Sequence, residues 1–86
     1  MSPTATRGLT RRERTAIIVV ALHRREHGRG PSYGWLGREL GLDRQSGVRL
    51  IRRLQRDGFL VSTSEPNSLD VTPEGLRAAL RKDGRR

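Results

Sequence analysis

The stretch DRQSGVRLIRRLQRDGFL, Asp43 to Leu60, holds five arginines, at 44, 49, 52, 53 and 56, and two acids, Asp43 and Asp57. Asp43 suits a helix N-cap, where a carboxylate accepts an otherwise unpaired backbone N–H. Gly58 suits a helix stop, because it enters the left-handed region without a Cβ penalty. The spacing therefore predicts a helix over 44–57. With Arg44 at zero on a helical wheel, Gly47, Leu50, Ile51 and Leu54 fall within roughly 240° to 340°. Gln45, Arg49, Arg52 and Arg56 fall opposite them, within roughly 80° to 140°. Arg53 and Ser46 lie on one shoulder, Arg44 and Val48 on the other.

Like charges are concentrated on the outward side. Arg49 and Arg53 are four residues apart, as are Arg52 and Arg56, and each such pair costs an isolated helix about 0.2–0.5 kcal/mol. Along this helix only Arg53 has an acid at matching spacing, Asp57. A merely solvated face usually mixes its signs. Two readings remain. All but one of the 18 basic residues are arginine, as a GC-rich genome would write them. Alternatively, an external polyanion supplies the missing negative charge. Arginine forms bidentate contacts with guanine and glutamine with adenine in the major groove of DNA, while phosphates take cations of any kind.

The whole chain has 86 residues, a formal net charge of +9 and no cysteine. That length suits one domain, in which about 60–65% of the unfolded chain's surface is buried. It leaves little room for an enclosed catalytic cavity. Without cysteine there is no disulfide framework and no thiolate metal site. The start, MSPTATRGLT, has no apolar signal region. The apolar run from Ala16 to Leu22 is far too short to span a bilayer. The expected organisation is a flexible basic tail over 1–8, a domain over 9–80 and a second flexible basic tail over 81–86.

Upstream of the arginine segment, Thr10-Arg11-Arg12-Glu13 fits a capping box and predicts a helix from Arg11 to His27. Within it, Ala16 to Leu22 is apolar all the way round, so more than one face needs covering. Ser32 is the expected cap of a short helix from Tyr33 to Leu40, with Trp35 as a core anchor. Gly41 supplies a left-handed stop, and Leu42 is expected to plug into the core. Downstream, Phe59–Thr63 and Leu69–Val71 read as two short strands about a turn at Glu65–Ser68. Thr72, Pro73 and Glu74 open a last helix to Leu80. The order is three helices, a hairpin and a helix: mainly α with a small β-hairpin, a helix-turn-helix followed by a two-stranded wing.

The residues YGWLGRELGLDRQSGVRLIRRLQRDGFLVST, followed by LDVTPEG, resemble the winged helix-turn-helix domains of bacterial transcription regulators, in particular the MarR-like family. There a Ser or Thr begins the recognition helix, an RL…G unit closes it and a T-P-x-G step follows the wing. Here these are Ser46, Arg53-Leu54 with Gly58, and Thr72 to Gly75. The stretch LTRRE…HGRGPSYGWLGRELGL also resembles the DNA-binding domain of LexA-type repressors. The resemblance implies that the arginine helix enters the major groove. Gln45, Ser46 and Arg49 would then meet bases, with Arg44 beside them. Arg52, Arg53 and Arg56 would touch phosphates, and Ser32 and Tyr33 the backbone. Three features depart from the pattern. Gly47 stands where a branched apolar residue is usual, which suggests close packing against Gly37. The hairpin tip, Ser64–Ser68, carries Glu65 and no basic residue. The long helical extensions of MarR-like regulators have no counterpart, so no small-molecule ligand is expected.

Other constellations weigh less. His23 to His27 matches H-x-x-E-H, a zinc-protease pattern, but lacks a third ligand. Gly28 to Pro31 lacks the spacing of a phosphate loop. No catalytic triad is credible. The expectation is a non-enzymatic, cytoplasmic, nucleoid-associated regulator, probing double-stranded DNA as a homodimer, with no cofactor, metal or membrane contact. The alternative is a protein-interaction module whose basic face docks an acidic partner. Structured RNA is a third possible target.

Overall fold

The computed structural model describes residues 9–81. The tail expected over 1–8 lies outside the described residues, as does the tail expected over 81–86 except for Arg81, whose N–H donates to Arg77 O at 3.1 Å. The elements are α1 (Arg11–His27), α2 (Tyr33–Glu39), α3 (Arg44–Arg56), β1 (Leu60–Val61), β2 (Asp70–Val71) and α4 (Pro73–Leu80). The protein is mainly helical, with one small two-stranded antiparallel sheet.

Helix α1 begins at the capping box. The Thr10 N–H donates to Glu13 Oε1 at 3.0 Å, and the Glu13 N–H donates to Thr10 Oγ1 at 3.1 Å. Two of the orphan donors at the helix start are satisfied in this way. The β-branched run stays helical and buries Ala16, Ile17 and Val20. The expectation that this run needs covering on every side is met only in part. Ile18 and Val19 are half-buried, while Leu22 remains 53% exposed.

Helices α2 and α3 are joined by a tight turn in which Gly41 has φ 72° and the Leu42 N–H donates to Gly37 O at 2.9 Å. Their close approach rests on two glycines. A Cβ placed on Gly47 would lie 3.0 Å from Gly37 Cα, so a branched residue there would force the helices apart. Asp43 caps α3 by accepting the Ser46 N–H at 2.8 Å. Its inward side is as the wheel predicts: Gly47, Ile51 and Leu54 are buried and Leu50 packs against the core.

The hairpin pairs Leu60 with Val71 and Val61 with Asp70. Its strands are shorter than the sequence predicts, for a local reason. The Ser68 side chain takes over the backbone groups of Thr63, accepting its N–H at 2.9 Å and donating to its carbonyl at 3.2 Å. Phe59 and Leu69, expected as strand residues, are instead fully buried core residues outside the ladder. Thr72 then ties α4 to the end of the α3 connection. Its hydroxyl donates to Gly58 O at 2.6 Å and accepts the Gly75 N–H at 2.9 Å.

The core unites α1, α2, α3, the hairpin and α4 through Ile17, Val20, Leu36, Ile51, Leu54, Phe59, Leu60, Leu69 and Ala79. Phe59, not Trp35, is its aromatic anchor. Trp35 is half-buried at the rim, where its ring centroid lies 4.7 Å from that of His23. Leu42 is likewise only half-buried, because it sits beneath the grooves flanking α3. Among the described residues, no helix is long and apolar enough to cross a membrane.

Candidate nucleic-acid interface

Helix α3 stands as a ridge on the surface. Arg44, Gln45, Val48, Arg49 and Arg52 line its outward side. All of these except Val48 are exposed, as is Arg56 in the last turn. Four guanidiniums, those of Arg44, Arg49, Arg52 and Arg56, thus share the solvent side of one helix. Among the described residues none of the four forms an ion pair with a carboxylate. The nearest electrostatic influence is the effect of Arg49 on Asp43. Hydrogen bonds from the Ser46 N–H and hydroxyl, aided by the charge of Arg49, hold the Asp43 carboxyl below its ordinary 3.8.

The remaining expected site residues are placed less uniformly. Ser46 is half-buried, with its hydroxyl turned to Asp43. Ser32 caps α2, accepting the Trp35 N–H at 3.1 Å. Tyr33 is half-buried, and its hydroxyl accepts a hydrogen bond from Gln55 Nε2 at 2.8 Å. The same Gln55 amide donates to Ser62 Oγ at 2.8 Å, and Tyr33 and Ser62 are themselves 3.3 Å apart. This trio joins the start of α2, the last turns of α3 and the base of the hairpin. Arg53 also differs from its neighbours. Its Nη1 lies 3.6 Å from Glu13 Oε2, a carboxylate only 1% exposed. The acid that the structure sets against Arg53 is therefore on α1.

A furrow runs along each side of the α3 ridge. One is lined by Arg12 of α1 together with Ser46, Arg49, Leu50 and Arg53. The other lies between α2 and α3 and is lined by Ser32, Tyr33 and Arg38 together with Arg44, Val48 and Arg52. Arg12, Arg38 and Gln55 are the residues that sequence reasoning missed. For Gln55 a signal existed, since its wheel position of roughly 20° puts it near the inward side. For Arg12 and Arg38 there was none, because their nearness to α3 depends on tertiary packing.

The cleft between the start of α2 and the hairpin is different in character. It is lined by Ser32, Tyr33, Ser62, Thr63, Ser68 and Glu65, among others, and contains no basic side chain. Near the end of α1, the rings of His23 and His27 are tilted by 41° with centroids 4.4 Å apart, and His23 Nδ1 lies 3.0 Å from Arg29 O. Among the described residues no three His, Cys, Asp or Glu side chains form a metal-binding group.

Compared with models of known protein families, the chain matches none. No curated protein matches it either.

Proposed function

We propose that this protein is a winged helix-turn-helix domain that binds double-stranded DNA and regulates transcription, with α3 lying in the major groove. The observation that carries this reading is the α3 ridge, with Arg44, Arg49, Arg52 and Arg56 on its solvent side and no carboxylate paired to them among the described residues. A helix with its side chains is about 10–12 Å across, and the major groove is about 12 Å wide. Phosphates would then supply the anions that the protein itself does not. Gln45 and Arg49 are the side chains best suited to read bases. Arg52 and Arg56 would hold phosphates.

The same reading includes a homodimer. Leu22 and Leu80 are 53% and 65% exposed, and burying such side chains against a second copy is favourable. Two copies of α3 would then reach half-sites about 34 Å apart, one turn of the duplex.

The test is a gel shift with duplex fragments of random sequence, with and without unlabelled competitor duplex. A shift that the competitor removes supports the reading. A second reading is favoured by one observation, the acidic hairpin tip, where Glu65 has no basic neighbour in its cleft. In that reading α3 docks an acidic protein surface. Absence of a shift, together with capture of the protein by an immobilised polyglutamate peptide, would favour it.

A further inference from the structure

Resting on the reading of α3 as a groove-bound helix, we propose that Arg12 and Arg38 are a pair of phosphate clamps, one for each strand of the duplex. Neither residue belongs to α3. Each nevertheless lines a furrow beside it, Arg12 together with Arg49 and Arg53 on one flank, Arg38 together with Arg44 and Arg52 on the other. A helix that fills the major groove leaves its two flanks against the two sugar–phosphate backbones that bound the groove. Side chains standing in the two furrows therefore meet opposite strands.

The local electrostatics support this role. Arg12 sits in the first turn of α1, where the helix dipole disfavours a cation. Glu13, the acid of that turn, is buried and engaged with Thr10 and Arg53. Both Arg12 and Arg38 are exposed, and among the described residues neither has an ion-pair partner. For Arg12 the missing anion is external. Arg38 sits in the last turn of α2, which suits a cation, and lacks only an ion-pair partner among the described residues. The contacts are to backbone, so they add affinity and register without reading sequence.

The experiment measures the salt dependence of binding to a short duplex for wild type, Arg12→Ala, Arg38→Ala, and Arg25→Ala as a control. Arg25 is exposed in the last turn of α1 and lines neither furrow. Each clamp variant is expected to weaken binding and to make the log–log salt slope shallower by about 1. Arg25→Ala is expected to change neither. Arg12→Lys and Arg38→Lys should restore most of the slope, and melting curves should match wild type throughout. Within a single half-site, phosphate-ethylation interference should lose positions on one strand with Arg12→Ala and on the other with Arg38→Ala. If wild type binds and both alanine variants keep its slope, the clamps are refuted while the proposed function stands. Losses by both variants on the same strand of a half-site would refute the assignment to opposite strands. If wild type does not bind duplex DNA, the proposed function fails and the clamps fail with it.

Discussion

Arg53 Nη1 lies 3.6 Å from Glu13 Oε2, and so links the outer shoulder of α3 to a carboxylate buried under the first turn of α1. The other oxygen of Glu13 closes the capping box on Thr10. One side chain therefore starts α1 and helps to hold α3 against it. Arg53 is half in solvent, so the pair is weaker than a fully buried one.

Arg53 should consequently differ from the other arginines of its helix. Arg53→Ala is expected to destabilise the fold by about 1 kcal/mol, because it leaves a buried carboxylate less well compensated. In a domain of this size that lowers Tm by roughly 4–8 °C. Arg49→Ala and Arg52→Ala should leave Tm unchanged while weakening DNA binding. Thermal melts followed by circular dichroism separate the two classes. Equal Tm values for all three variants would mean that the Glu13–Arg53 link contributes nothing.

The two glycines at the α2–α3 contact should respond with opposite sign. On Gly37 a Cβ would sit 3.6 Å from Gly47 Cα, an ordinary contact, whereas on Gly47 it would sit 3.0 Å from Gly37 Cα. Replacing a helical glycine with alanine gains about 0.8–1.0 kcal/mol of helix propensity. Overpacking against a backbone atom costs about 1–3 kcal/mol. Gly37→Ala is therefore expected to be neutral or stabilising, and Gly47→Ala destabilising, in urea unfolding. A stabilised Gly47→Ala would show that the helices separate freely.

Gln55 holds the hydroxyls of Tyr33 and Ser62 together. Tyr33→Phe removes one acceptor of that amide and should cost about 0.5–1.5 kcal/mol. Gln55→Leu should cost at least as much, since both hydroxyls lose their donor. Hydrogen exchange provides a local readout. The Val61 and Asp70 amides, which face each other across the hairpin, should exchange faster in Gln55→Leu, and unchanged exchange would mean that the trio does not brace the hairpin.

Asp43 gives the fold a pH dependence of definite sign. Its carboxyl is held below 3.8 by the Ser46 N–H and hydroxyl and by the charge of Arg49. A depressed folded-state value contributes stability that is fully present above the unfolded value and is lost as pH falls through the folded one. Asp43→Ala should therefore lower Tm at neutral pH. The gap to wild type should persist down to about 3.8 and close only below it. A gap that closed well above that value would contradict the assignment.

Much of this arrangement could be read from short-range chemistry. The Thr10–Glu13 box, the Asp43 cap, the Gly41 turn and the inward side of α3 each depend on residues within a few positions of one another. The close packing of Gly47 on Gly37 was legible because a glycine replaced a bulky residue where two helices must touch. The rest depends on contacts between distant segments. Arg53 could not be matched with Glu13, which lies on another helix, and Arg12 and Arg38 gave no sign of flanking α3. With only three aromatics in the chain, Trp35 reads as a core anchor, but its ring lies at the rim against His23, and Phe59 takes the interior. Strand lengths failed for a similar reason, because the Ser68 side chain replaces the ladder at Thr63.

The central claim, that the bare arginine side of α3 is completed by phosphates, is tested most directly by measuring affinity for duplex DNA against salt concentration. If about five to seven phosphates are neutralised, log K should fall with log salt at a slope of about −4 to −6. Charge reversal at Arg49 or Arg52 should abolish binding while the helical circular-dichroism signal is retained. A slope near zero, or undiminished binding by the charge-reversed variants, would contradict the claim.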